Sequence, residues 1–167
     1  MGVFSFSQSW IEALVIKGNQ SPRLRCHSNI HTSHSDPCQS LFNAIGVDSY
    51  IRPHRHLLDP KPEYLLAVRG VFALITFFDN GVIQNKEYFG TELYQSDKRV
   101  SVGVLLQPDV WHTVIALVPN SVLMEVKPGP FLPDLSKDLA SWSPIEGSTE
   151  SFKYLMHLKL DLDIPSP

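Results

Sequence analysis

Short apolar runs bounded by polar and turn residues recur through most of the chain, and a helical period appears only near its ends. In QSWIEALVIKG, residues 8–18, Trp10, Ile11, Leu14 and Val15 fall at helical spacing. Ser7 or Ser9 stands where an N-cap belongs, and Gly18 where a helix stops. CQSLFNAIG, residues 38–46, and SYIRPHRH, residues 49–56, read as short strands. PEYLLAVRGVFALITFF, residues 62–78, is a long apolar run broken into two strands by Arg69-Gly70. FFDNGVIQ predicts a hairpin in which Asn80-Gly81 supplies the positive φ angles of a two-residue turn. VIQNKEYFG, residues 82–90, alternates as a half-exposed strand does. SVGVLLQ, WHTVIALVP and SVLMEVKPG follow at short, even spacing.

Many short strands at such spacing predict a sandwich or barrel rather than alternating strands and helices. Beyond Pro128 the chain is Pro-rich, with a second helix expected at STESFKYLMHL, capped by the Ser148–Ser151 segment. The expected organisation is one domain over 1–167. It has an N-terminal helix within 1–20, a barrel core over 36–128 and a C-terminal extension over 129–167.

Composition sharpens the class. The 167 residues are 43% hydrophobic and 19% charged, a globular profile. A net charge of −3 without a Lys/Arg run argues against nucleic acid as a partner. Cys26 and Cys38 form neither a disulfide framework nor a Cys-x-x-Cys pair, so two free thiols are expected. The first twenty residues lack the pattern of a secretory signal, and no apolar run approaches the roughly 20 residues of a membrane helix. These features predict a cytoplasmic protein with no membrane partner.

Against this background SYIRPHRHLLDPKPEYLLAVRG, residues 49–70, is out of character. Residues two apart on a strand share a face, so His54 and His56 project together, with Cα atoms about 6–7 Å apart. Pro60 and Pro62 stiffen the link to Glu63, and a turn there returns Glu63 to the histidines. His112 opens the apolar strand WHTVIALV behind the turn QPDV. Three imidazoles and a carboxylate suit one divalent ion such as Zn, Fe, Mn or Ni, with room left for water or substrate. Taken singly, each histidine has an ordinary surface or core role, and Glu63 has an alternative as a partner for Lys61 or Arg69.

The run His54-x-His56, six residues, Glu63, six residues, Gly70 resembles the first motif of the cupins. QPDVWH resembles the second, with His112 as the metal histidine, Gln107 in place of the usual Pro and Asp109 in place of Gly. Asp tolerates a left-handed backbone better than most residues, so the turn is expected to survive. SPRLR, NIH, YIRPHRH, VRG, FFDNG, WHT and EVKPGP together resemble the WbuC-type cupin-fold metalloproteins. The resemblance implies an all-β double-stranded β-helix, or jelly-roll barrel, with a metal in one end. It also implies association with surface-polysaccharide genes, and it lends no reaction.

Further polar residues are candidates for the barrel mouth. Tyr50 and Arg52 share parity with His54 and His56, and Glu125 and Lys127 are likewise two apart. Tyr50, Glu125 and Lys127 are the candidate acids or bases. Arg52, Gln39 and Asn43 are the candidate ligand-binding residues, Arg52 because guanidinium recognises carboxylate or phosphate. Trp111 and Arg55 are expected to point away from the metal. Asn29 and His31 are weaker candidates, and His27, His34 and His157 are read as surface residues.

Three functions compete. The first is a metal-dependent isomerase, epimerase or oxygenase acting on a small polar or anionic, sugar-like substrate. The second is a non-catalytic module that binds a sugar or metabolite. The third is a metal-free sugar epimerase of the same fold. A homodimer formed through residues 82–90 or the N-terminal segment is the expected assembly.

Overall fold

A computed structural model describes residues 2–167. Helix α1 spans Gln8–Gln20, and the strands follow as β1 Arg25–Asn29, β2 Cys38–Ile45, β3 His54–Arg55, β4 Glu63–Arg69, β5 Val71–Phe77 and β6 Ile83–Gly90. Then come β7 Val100–Ser101, β8 Gly103–Leu106, β9 Trp111–Ala116, β10 Ser121–Pro128, β11 Asp138–Leu139 and helix α2 Thr149–Leu160. The strands form two sheets, ordered β1-β2-β10-β4-β8 and β11-β3-β9-β5-β6-β7. This is the expected all-β jelly roll with a helix near each end. The first sheet starts at Arg25, upstream of residue 36, and β11 lies in the segment expected as an extension.

Inside the barrel Ile45, Leu65, Phe72, Leu74, Phe89, Val114 and Leu123 pack as one apolar cluster that closes one end. Part of each sheet's outer face is also covered by a helix. Ile11, Leu14 and Val15 of α1 pack on Phe42, Ala44 and Val122 of the first sheet. Leu155 and Leu158 of α2 pack with Val71, Ala73, Ile75 and Phe77 of the second. This is why β5 reads as a continuous apolar run instead of alternating: both of its faces are buried.

Local chemistry sets the turns. Ser7 caps α1, its Oγ accepting the Trp10 N–H at 3.2 Å. Gly18 does not end that helix, which runs two residues further; it is where α1 crosses β2, and a Cβ would meet that of Ala44 at 3.4 Å. Ser148 caps α2 by accepting the Ser151 N–H. Gly70 has φ +80° between β4 and β5, and a Cβ there would collide with Ser121 Oγ. The β5–β6 hairpin differs from expectation. Phe78 and Val82 pair around a three-residue loop in which only Gly81 is left-handed, at φ +83°, and Asn80 is not. This is a type I turn closed by a bulge, matching the register shift between Thr76 and Phe77.

The expected strand over 49–56 shrinks to His54–Arg55, because Pro53 interrupts it. β6 lies inside its sheet, although β7 covers only Tyr88 and Phe89. Cys26 and Cys38 are free thiols. Among the described residues no helix is long and apolar enough to cross a membrane.

Candidate metal centre

Odd-numbered residues of β2, β4 and β10 face the barrel interior, and at the open end this face turns polar. The registers pair Lys127 with Gln39, Glu125 with Leu41 and Leu65, and Leu123 with Asn43. Opposite them, His112 belongs to the inward set of β9 with Val114 and Ala116, and His54 of β3 is its direct cross-strand neighbour. A cavity of about 370 Å³ lies between the two sheets.

His54, His56 and His112 have ring centroids 4.3–5.5 Å apart, and one nitrogen from each lies within 4.8 Å of the others. All three are at most 5% exposed. His54 Nδ1–H donates to the Arg52 carbonyl at 2.9 Å, and His112 Nδ1–H to the Val110 carbonyl at 2.8 Å. His56 Nδ1–H donates to the carbonyl of Ser136. A carbonyl only accepts, so in each ring the proton sits on Nδ1 and the Nε2 lone pair is free. Donation to backbone carbonyls is the arrangement that orients metal-binding imidazoles.

Glu63, 5% exposed, lies beside two of the three imidazoles. Its Oε2 lies 3.2 Å from His56 Nε2 and 4.0 Å from His112 Nε2. Its Oε1 accepts from Lys127 Nζ at 2.9 Å, and the same ammonium reaches Glu125 Oε1 at 2.9 Å. Glu63 therefore turns a single oxygen to the imidazoles. Neither alternative partner takes it: Lys61 pairs with Asp59, and Arg69 with Glu12.

The electrostatics favour lone pairs over protons. Burial, joined by the charges of Lys137 and the neighbouring imidazoles, holds His54 well below the usual range. Burial likewise brings His112 down to about 4, against the pull of Glu63. Burial pushes Glu63 up, but its neighbours, the Lys127 ammonium among them, outweigh it and hold the carboxylate well below its usual range. Burial pulls Lys127 down, and the Glu125 and Glu63 carboxylates reverse this and hold it above its ordinary value. His54 and His112 thus stay neutral and Glu63 ionised, the protonation states that a divalent ion requires. His56 Nε2 is buried with no hydrogen-bond partner, and a bound cation would satisfy it. The three histidines could hold a metal ion.

Of the other expected residues, Gln39, Asn43, Glu125 and Lys127 line the cavity. Gln39 is held there by its amide N–H groups donating to the carbonyls of Ser33, His34 and Asp36. Tyr50 and Arg52 are elsewhere. The Tyr50 hydroxyl donates to the Pro144 carbonyl at 3.1 Å, and burial raises its pKa to about 12. Arg52 donates to Ser143 Oγ and to the Ala140 carbonyl. Parity failed for both because residues 50–53 are not strand; they are pinned to β9 by Thr113 Oγ1–H on the Ile51 carbonyl. Trp111 and Arg55 face outward as expected, stacked 4.3 Å apart, with Trp111 Nε1–H on Asp79.

Asn29 and His31, the weaker candidates, also line the cavity, together with residues that were not expected there. His27 and His34, read as surface residues, are exposed at the cavity wall, with Asn29 beside His27 on β1. Their two-residue spacing on one strand was a usable signal. Arg25 and Lys137 also line the cavity. Lys137 comes from the irregular segment before β11, where no periodicity points inward.

Residues 6–89, half of the chain, match the family model described as Domain of unknown function (DUF6016). The chain belongs to that family. The matched segment contains His54, His56 and Glu63 and ends before His112. Among curated proteins none matches. Among solved structures, protein SO0799 from Shewanella oneidensis is 11% identical and aligns over 84% of this chain and 85% of its own, with a TM-score of 0.53. The capsular polysaccharide assembling protein CapF from Staphylococcus aureus is 17% identical over 68% of this chain and 28% of its own, TM-score 0.51. Oxalate decarboxylase from Bacillus subtilis is 13% identical over 69% of this chain and 27% of its own, TM-score 0.50. The chain thus spans under a third of the latter two proteins. At these identities the likeness is one of fold, the cupin jelly roll.

Proposed function

We propose that the chain is a mononuclear metal-binding protein whose ion is held by His54, His56, His112 and Glu63, and that it acts as an enzyme on a small, polar or anionic, sugar-like molecule. The observation that carries this reading is the convergence of three buried imidazoles, each donating its Nδ1–H to a carbonyl, with the Nε2 atoms of His56 and His112 also facing one oxygen of a buried carboxylate. Bound there, a divalent ion would polarise a carbonyl or activate a bound water or dioxygen.

The chain's own groups then have distinct tasks. Lys127, hydrogen-bonded to Glu63 and Glu125, fixes which Glu63 oxygen faces the centre and stays protonated, which suits it to positioning rather than to proton removal. Glu125 keeps one oxygen free towards the cavity and is the group available to take or return a substrate proton. Apolar Ile51, Leu65 and Val114 line the cavity beside these groups and limit water there. Tyr50 and Arg52 have no part. The fold shared with a capsular polysaccharide assembling protein and with a decarboxylase of a small dianion agrees with a sugar-like or anionic substrate, as does the WbuC-type resemblance. Cytoplasmic location and a homodimer belong to the same proposal.

The test is metal analysis on protein purified with neither added metal nor chelator. About one equivalent of a divalent ion is expected, and less than about a tenth would overturn the reading. Oxygen uptake by the loaded protein then separates oxygenase from isomerase chemistry.

A further inference from the structure

Four cationic side chains, Arg23, Arg25, Lys127 and Lys137, line the cavity wall, and three of them are engaged, Arg23 with Glu146 at 2.7 Å. Arg25 is committed to Glu146, with its NH2 2.7 and 2.8 Å from the two carboxylate oxygens, and to the Tyr50 carbonyl. Lys127 is shared between Glu63 and Glu125. Lys137 is different. It makes no hydrogen bond or ion pair with a side chain among the described residues, and its exposed side chain lines the cavity. Its charge is close enough to His54 and His112 to depress both. An ammonium in the wall of a cavity, not taken up by a carboxylate of the chain, is free to donate to an anionic group of a ligand.

Acceptors without donors share this cavity. Asn43 Oδ1 is buried with no hydrogen-bond partner. Glu125 uses Oε1 for Lys127, leaving Oε2. Asn43 and Glu125 lie on neighbouring rows of the same face, since Asn43 pairs with Leu123. An unfilled cation beside unfilled acceptors calls for a ligand with one acidic group and several hydroxyls.

We infer that Lys137 anchors the carboxylate of a small polyhydroxy acid, of hexonate or hexuronate size, whose hydroxyls donate to Glu125 and Asn43. The inference rests on the metal-centre proposal only in placing the ligand's reacting end towards His54 and His112. A carboxylate fits better than a phosphate, because one ammonium faces the space and no free guanidinium fork does. The volume of about 370 Å³ is of small-ligand size. Lys137 is a specificity residue here, delivered by the segment that also orients His56 through the Ser136 carbonyl.

The experiment is calorimetric titration of metal-loaded and metal-free protein with gluconate, galactonate, glucuronate and galacturonate. Sorbitol supplies the hydroxyls without the charge, and hexanoate the charge without the hydroxyls. At least one hydroxy acid is expected to bind about tenfold or more tighter than sorbitol and hexanoate. Lys137→Met should lower that affinity about tenfold and leave sorbitol unchanged, while Lys137→Arg keeps part of it. An unshifted thermal midpoint for Lys137→Met checks folding. Equal acid binding by Lys137→Met and the unmodified chain overturns the inference. So does sorbitol or hexanoate matching the acids, or no acid binding at about 10 mM. Metal content is read on the same samples. Loss of metal with Lys137-dependent acid binding intact overturns the metal-centre proposal alone.

Discussion

His56 Nε2 and Glu63 Oε2 face each other at 3.2 Å while the imidazole proton sits on the far side of the ring, on Nδ1, donated to the Ser136 carbonyl. Two acceptors held at contact distance repel unless a cation or a second proton lies between them. The strand segment that supplies Glu63 and the loop that supplies Ser136 hold the pair together, and this makes the centre selective for positive charge.

Replacing Glu63 by Gln should therefore weaken divalent-metal affinity by about 10–100-fold without abolishing it, because the three imidazoles remain. Competition against a chromophoric chelator measures this. Unchanged affinity would remove Glu63 from the ligand set. His54→Ala and His112→Ala should each lower bound metal to below about a tenth of an equivalent.

The metal-free protein should lose stability as the pH falls below about 6.5. His112 titrates near 4 when folded and His54 well below its ordinary value, so the unfolded chain takes up these protons first. Stability contributed by neutral imidazoles is present above about 6.5 and lost on the way down to the folded values; His112 alone accounts for about 3 kcal/mol. Glu63, ionised in the fold, adds a loss of the same sign at lower pH. Urea midpoints across this range test it, and a flat profile would contradict buried neutral histidines.

Lys127→Met leaves Glu63 and Glu125 without their shared cation. A loss of about 3 kcal/mol is expected in denaturant unfolding of the metal-free protein. Metal loading should recover part of it, since the ion offsets the Glu63 charge. Equal losses with and without metal would argue against Glu63 as a ligand.

Tyr50→Phe should leave metal content and any turnover unchanged and cost about 1 kcal/mol, the worth of one partly buried hydrogen bond to Pro144. A fall in turnover at constant stability would return Tyr50 to the site.

Gly70→Ala combines a left-handed backbone with a collision against Ser121 Oγ. A loss of about 2 kcal/mol or more is expected, read as a lower thermal midpoint. It should not alter metal stoichiometry, because Gly70 is a turn residue away from the centre.

Much of this was legible in the order of residues. The His54-x-His56 and Glu63 spacing, the QPDVWH turn with Asp109 at φ 67°, the Arg69-Gly70 break and both helices could be read in advance. Each depends on neighbours within a few positions, where backbone preference dominates. The errors arose where longer-range packing decided. Gly18 looked like a helix stop, but its smallness serves the crossing with β2. The parity that drew Tyr50 and Arg52 to the mouth assumed an unbroken strand, and Pro53 and the bond from Thr113 set another path. Lys137 gave no local signal at all.

The sequence by itself determined an all-β chain, because short apolar runs and the turn residues that bound them act locally, and it singled out His54, His56, Glu63 and His112 as the residues out of character. Only the tertiary structure decided how they meet. Carbonyls of Arg52, Val110 and Ser136 choose the tautomers, Lys127 chooses the Glu63 oxygen, and a segment eighty residues from His56 brings Lys137 to the cavity. Those choices are made by contacts across sheets, and a hydrogen bond across sheets leaves no period in the chain.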